Sequence, residues 1–366
     1  MQRYLSVVIA LLSLLNLAFR PAVLTESDFS RYRVSPYQIV QMVPRPVPEL
    51  SARAALLLDG TSGTVLYAKS EHDRLAPAST TKMVTALVAV QGANLGDHVV
   101  IMPSDLSVGS CMGLSAGEEP TMEELLYGLL LVSDNAVAVT IARHVAGSEK
   151  TFVDLMNQWV AEHGLHDTHF SNPHGFDETM HFSSAYDLAI IGRHMVRNRI
   201  LTSIVATKEQ WAASRLLENS NELLGTYAGA NGVKTGTTDA AGQCLVASAR
   251  RDGEGWVVAV VLGSQDRYAD ARALLDYYFA GFFQTSLGLE PSPLARIQVE
   301  GGEWHSLAVR DDAQVLLTRW QAGYLRSFLW IDKAKLSPGL GEAVGRVSYD
   351  LFGQTVAELP VYIGGY

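Results

Sequence analysis

The chain reads as an α/β protein of the mixed, α+β kind, with a small β-rich domain after a larger one. Three observations predict this. Apolar strand pairs stand near both ends of a helix-rich stretch, Ala54–Asp59 with Thr64–Ala68 and Gln243–Ala249 with Trp256–Leu262. Between them lie segments with helical starts and stops. Beyond Leu289 the pattern turns to short alternating runs broken by Gly, Pro and Asp, the mark of several brief strands. At 366 residues there is room for one large domain and one small one.

Taken in order, Arg3 precedes an uncharged, mostly apolar run from Tyr4 to Phe19, which Arg20 closes. A short positive region followed by an apolar core is the pattern of an export signal. The run is short for a membrane-spanning helix, which needs about 20 residues. Arg20-Pro21-Ala22 is a poor cleavage site. Residues 1–22 are therefore read as a signal peptide or a retained N-terminal anchor, and the chain as extracytoplasmic. Residues 23–50, with Pro36, Pro44, Pro46 and Pro48, read as an extended lead-in. The main domain is expected over residues 51–288 and the small β-rich domain over 289–366.

Within the main domain, Gly60 and Gly63 separate the first two strands as a hairpin. Helices are expected from Ser79 to Val90, Met122 to Leu131, Asn135 to Val145 and Lys150 to His163. Arg-Arg-Asp-Gly-Glu-Gly joins the second hairpin, and a long helix from Ala269 to Phe283 follows. The small domain should hold strands at Arg296–Val299, Ala313–Thr318, Leu325–Ile331, Ala343–Tyr349 and Thr355–Val361. A hydrophobic share of 48% with 18% charged residues is that of a globular chain. The net charge of −10 argues against nucleic acid as a partner.

Three short motifs carry the chemistry. Ser79-Thr80-Thr81-Lys82 places a hydroxyl and an amine about one turn apart on a helix start. A serine is a weak nucleophile until something takes its proton. A lysine can do so when neutral, and burial beside a second cation, Lys234, favours that form. Ser133-Asp134-Asn135 falls between two apolar helices. Ser133 could relay a proton there, Asn135 could hold a peptide amide, and Ser133 or Asp134 could cap the helix that follows. Lys234-Thr235-Gly236-Thr237-Thr238 would start a strand whose edge could pair with an extended peptide. Lys234, Thr235 and Thr237 would then present a cation and hydroxyls to a terminal carboxylate. The backbone N–H groups of Ser79 and Thr237 are the oxyanion-hole candidates.

Other reactive side chains suggest less. His166, His169, His174 and His181 cluster in a segment broken by Pro173 and Gly175, without an H-E-x-x-H spacing, so they read as structural or exposed rather than metal-binding. Export would permit a disulfide between Cys111 and Cys244, but the plainer reading is two small buried side chains.

The three motifs, in this order, resemble those of serine-type D-Ala-D-Ala carboxypeptidases, the low-molecular-mass penicillin-binding proteins. Ala76–Met83, Phe170–Phe176, Ala185–Ala189, Asn221–Gly225, Gly232–Thr238 and Ala241–Cys244 are similar to segments typical of that family. The resemblance runs from about Pro48 onward. It implies a transpeptidase-like domain, an antiparallel sheet with helices on both sides, followed by a small β domain. It implies attack by Ser79 on the carbonyl between two D-alanines of a peptidoglycan stem peptide, loss of the last D-alanine, and hydrolysis of the acyl-enzyme. Lys82 would be the base, Ser133 would assist proton transfer, and Lys234 with Arg267 would hold the terminal carboxylate. β-Lactams would acylate the same serine, and no cofactor or metal is implied.

Two departures stand out. Many relatives end in an amphipathic membrane-binding helix, whereas Pro360–Tyr366 carries none, so attachment would fall to Tyr4–Phe19. Asn231 stands where an aspartate is common. A class A β-lactamase would share the trio but needs an E-x-x-L-N segment, absent between Asn135 and Lys234. An inactive penicillin-sensing or wall-binding module would not need the full set of reactive side chains.

Overall fold

The computed structural model describes residues 47–252, 254–287, 295–298, 304–322, 324–332, 342–351 and 353–363. The expected signal or anchor at 1–22, and most of the lead-in at 23–50, lie outside the described residues. The chain divides into two compact units. Of the described residues, one unit takes in those from 47 to 285 together with 316–319, and the other those from 286 to 315 and from 320 to 363.

The larger unit opens with strands β1 (Ala54–Asp59) and β2 (Val65–Lys69), then a short 3-10 turn at Ala78–Thr81. Six helices follow: α1 (Lys82–Gly92), α2 (Met122–Leu130), α3 (Asn135–Ala146), α4 (Glu149–Glu162), α5 (Ala185–Arg197) and α6 (Arg199–Val205). A small hairpin, β3 (Glu209–Ala212) with β4 (Arg215–Glu218), leads to β5 (Ala230–Thr238), β6 (Gly242–Arg251), β7 (Gly255–Ser264) and helix α7 (Arg267–Gly281). The main sheet has the order β2-β1-β7-β6-β5, antiparallel throughout, with β5 at one edge.

Why the central strands read as unbroken apolar runs is now plain. Side chains alternate between the two faces of a sheet, and here both faces are covered. Leu56, Leu58, Val246, Val258 and Val260 enter the core shared with α1 to α6. Leu57, Leu245, Val257, Ala259 and Val261 enter a second core, against α7. The sheet therefore lies between helical layers, the architecture the resemblance implied.

Helix ends follow local chemistry. Thr121 and Glu124 close a capping box at the start of α2. Asp134 caps α3 by accepting from the Val137 N–H, and Ser184 caps α5 by accepting from the Asp187 N–H. Helix α5 was not read from the sequence, although Ser184 three residues before Asp187 is a start signal. The β3–β4 hairpin was missed as well, being only four residues a strand.

In the second unit, β8 (Ala295–Gln298), β9 (Trp304–Val309), β10 (Arg326–Ile331), β11 (Gly345–Leu351) and β12 (Gln354–Ile363) form a sheet of order β10-β11-β12-β9-β8. Leu307, Val309, Val347, Leu359 and Val361 fill its core. Strand β9 is hidden in the sequence because His305 and Ser306 interrupt its apolar pattern.

Two expectations need correction. Lys234-Thr235-Gly236 does not start a strand: β5 begins at Ala230, where pairing with Ala249 of β6 makes a strand of a Gly- and Ala-rich stretch. Cys111 and Cys244 are both free thiols, and only Cys244 is buried.

The contact between α5 and the sheet depends on Gly192. A Cβ there would lie 2.7 Å from Val246 Cγ1 and 3.2 Å from Val258 Cγ1. Gly192→Val is expected to lower stability by roughly 1–3 kcal/mol through overpacking, measured as the shift in urea midpoint.

Candidate active site

The 3-10 turn brings Ser79 to the mouth of a cleft of about 280 Å³ between β5 and the loops before α3 and after Asn172. Its lining includes Ser79, Ser133, Asn135, Thr235, Thr237 and Arg267, so six of the eight predicted site residues meet on one surface. The other two, Lys82 and Lys234, are fully buried lysines at 0% and 1% exposure. Lys82 reaches the group from beneath, through Ser79 and Asn135.

Backbone strain aims the two serines. Ala78, just before Ser79, has φ +49°, and Ser133 has φ +61°, both in the left-handed region that side chains disfavour. Such residues persist only where surrounding contacts hold them. The Thr81 hydroxyl donates to the Ala78 carbonyl at 2.8 Å. Gly175 abuts the same carbonyl, since a Cβ at that position would lie 2.1 Å from the oxygen. On the other flank, a Cβ on Gly236 would lie 2.9 Å from the Ser79 nitrogen. Glycine there lets β5 run directly against the turn.

Asp134 secures the wall beside Ser133. Beyond capping α3, its carboxylate accepts from Ser110 Oγ and from the Met112 N–H, each at 2.6 Å. This clamps the loop that carries Cys111 into the cleft lining.

Lys82 has a distinctive set of neighbours. Its Nζ lies 2.9 Å from Ser79 Oγ, 2.8 Å from Asn135 Oδ1 and 2.6 Å from the His174 carbonyl oxygen. The last two can only accept. A neutral amine would give them its two hydrogens and turn its lone pair to the serine hydroxyl. Burial, aided by the nearby Lys234 charge, holds the Lys82 pKa well below the usual lysine value. Lys234 donates to the Thr235 carbonyl at 3.0 Å, and burial with the Arg267 charge brings its pKa down to about 7.

Arg267 begins α7 and spans the end of the sheet. Its guanidinium donates to the Gly236 carbonyl at 2.8 Å, to the Cys244 carbonyl at 3.0 Å and to Thr237 Oγ1. Ser220, which the sequence reading passed over, also lines the cleft, and its hydroxyl is 2.8 Å from Thr235 Oγ1. The only hint was its place beside Asn221, whose amide donates to the Gly232 carbonyl at 2.9 Å. Two of the four clustered histidines, His174 and His181, are buried rather than exposed, and burial lowers both pKa values to about 4. Among the described residues no three His, Cys, Asp or Glu side chains gather as a metal site.

A serine beside a buried lysine, at the open edge of an antiparallel sheet, defines a serine acyl-transfer enzyme of the penicillin-recognising class. The comparisons narrow this further. The profile of the family described as D-alanyl-D-alanine carboxypeptidase matches residues 40–266. The chain is 33% identical over 317 residues to D-alanyl-D-alanine carboxypeptidase DacF of Bacillus subtilis, covering 83% of this chain and 77% of that one. It is 30% identical over 350 residues to DacA of Escherichia coli, covering 89% and 85%. Among solved structures, penicillin binding protein 5 from Haemophilus influenzae superposes with a TM-score of 0.71 at 29% identity, covering 88% of this chain and 99% of that one. The chain belongs to the D-alanyl-D-alanine carboxypeptidase family, and it is a serine-type peptidase.

Lys82 should titrate well below the ordinary lysine value when its Nζ resonance is followed by NMR. Lys234→Ala should raise the Lys82 value, because a like charge is removed and water gains access.

Proposed function

We propose that this enzyme removes the terminal D-alanine from peptidoglycan stem peptides by way of an acyl-enzyme on Ser79. The observation that carries this reading is the buried Lys82 amine, within reach of Ser79 Oγ and held by two acceptors that would take the hydrogens of its neutral form. The peptide lies extended along β5, adding a strand to the sheet edge. Asn135 takes a side of the peptide amide, while Lys234, Thr235, Thr237 and Arg267 receive the terminal carboxylate. As Ser79 attacks, Lys82 takes its proton, and charge develops on the carbonyl oxygen between the backbone N–H groups of Ser79 and Thr237. Donors so placed are worth about 3–4 kcal/mol to the chemical step. Ser133, held at the rim by the Asp134 clamp, passes the proton to the departing amine. Water then enters where the D-alanine left, and the same lysine activates it to release the shortened peptide.

β-Lactams fit the same reading as acylating inhibitors, because their ring amide and carboxylate meet the groups that meet D-Ala-D-Ala. We place the enzyme outside the cytoplasm, where such peptides are found, with the apolar segment Tyr4–Phe19 as its export signal, or as its anchor if that segment is not cleaved. No described helix is long and apolar enough to cross a membrane. The peptidase domain is taken as 51–288 and the β domain as 289–366.

Ser79→Ala should abolish D-alanine release from a pentapeptide without moving the unfolding midpoint, and retained release would refute the nucleophile assignment. Lys82→Arg should lower acylation by penicillin at least about a thousandfold, the scale of general base catalysis, because arginine stays charged.

The pH profile offers a separate check. Activity should rise as Lys82 loses its proton and fall as Lys234, near 7 in the free enzyme, loses the charge that binds carboxylate. Arg267→Gln removes a like charge and so raises the Lys234 pKa. Its alkaline limb of kcat/KM should move to higher pH even as the plateau drops.

A further inference from the structure

The sequence left His181 as one of four histidines in a polar loop, yet the structure puts its ring at 3% exposure behind the nucleophile turn. It is not among the residues that line the cleft, so any part it plays runs through its neighbours. Its hydrogen bonds define its tautomer. Nδ1 accepts the Ser171 N–H at 3.0 Å, which leaves the ring proton on Nε2. Nε2 lies 2.8 Å from Thr81 Oγ1. The Thr81 hydroxyl has one hydrogen, already given to the Ala78 carbonyl. It must therefore accept from Nε2–H, and the chain of donors runs one way, from Ser171 through the imidazole and Thr81 to Ala78. Burial keeps the ring neutral at working pH, as this direction requires.

Ala78 is where that chain ends, and Ala78 is the strained residue, at φ +49°, that sets the direction of Ser79. Gly175 blocks the carbonyl on another side. Without the Thr81 hydroxyl aimed at it, this carbonyl would lose the contact that opposes relaxation of the turn.

We infer that His181 is a positioning residue for the reaction: by fixing the Thr81 hydroxyl on the Ala78 carbonyl, it holds the strained turn that points Ser79 at the scissile carbonyl. This rests on Ser79 being the nucleophile.

The test compares the full chain with His181→Leu, His181→Gln, Thr81→Val and the His181→Leu/Thr81→Val double variant. The readouts are the limiting rate and half-saturating concentration for acylation by a fluorescent penicillin, with unfolding midpoints alongside. His181→Leu should slow the limiting rate by about tenfold or more, as a small misplacement of a reacting atom does, with little change in half-saturation. His181→Gln, whose amide N–H can reach Thr81, should recover most of the rate. The double variant should be no slower than the slower single, because both substitutions break one chain. Wild-type rates in His181→Leu, no recovery in His181→Gln, or losses that multiply in the double variant would overturn the inference. If His181→Leu does not fold, the Gln variant and Thr81→Val still decide it: a tenfold loss in Thr81→Val with near-normal His181→Gln supports it, and a wild-type Thr81→Val sinks it. A wild-type chain that takes no adduct on Ser79 would overturn the nucleophile assignment itself, and this inference with it.

Discussion

A lysine amine buried with no carboxylate among its hydrogen-bond partners is costly to keep charged, and the larger unit is organised around that constraint. Lys82 can stay dry only if several elements close over it together. Helix α1 carries it, the start of α3 supplies Asn135, the loop after Asn172 supplies a carbonyl, and β5 runs past the serine. Each contribution is an oxygen that accepts, or a backbone thin enough to come close. Lys234 adds a second buried cation and strengthens the pressure toward a neutral amine. The glycines at 175 and 236 follow from the same need, since a methyl group at either would push the walls apart.

Much of this could be read from the sequence, for reasons that can be stated. The sheet strands were visible because burial on both faces makes them apolar without interruption, and α2 and α3 because their caps and apolar spacing agree. Seven reactive side chains stood out because they come in three short motifs, and Arg267 was placed by the resemblance. What could not be read depends on long-range packing. His174 and His181 look like polar loop residues, yet the fold supplies partners that let them be buried: Phe176 and Ser171 N–H groups, and Thr81. The segment Ala230-Asn231-Gly232 has no apolar alternation to mark it as strand, and joins β5 because Ala230 and Gly232 pair with Ala249 and Ser248 of β6. Ser220 is held at the cleft by distant partners, its N–H donating to the Leu131 carbonyl, its own carbonyl accepting from the Tyr268 hydroxyl, and Asn221 beside it donating to the Gly232 carbonyl.

The departure at Asn231 shows the limit of a motif-level reading. Its side-chain oxygen is buried, without a hydrogen-bond partner among the described residues. An unsatisfied buried acceptor typically costs about 1–3 kcal/mol. This lies three residues before Lys234, on the strand that forms the cleft wall, and nothing in the structure explains it.

Strand β5 has one more consequence. A sheet edge left open is a template for any extended chain, and proteins usually cover, shorten or charge such edges. The D-peptide recognition proposed here forbids those remedies, because the edge must remain free to pair. The protection comes instead from enclosure. The Ser133–Asn135 loop and the Gly175–Phe176 turn stand opposite β5 and make a slot of what would otherwise be a flat border. A single thin strand can slide into such a slot, whereas the broad edge of another folded sheet cannot. For the proposed peptide the slot would serve twice, leaving β5 free to pair while narrowing what can reach it.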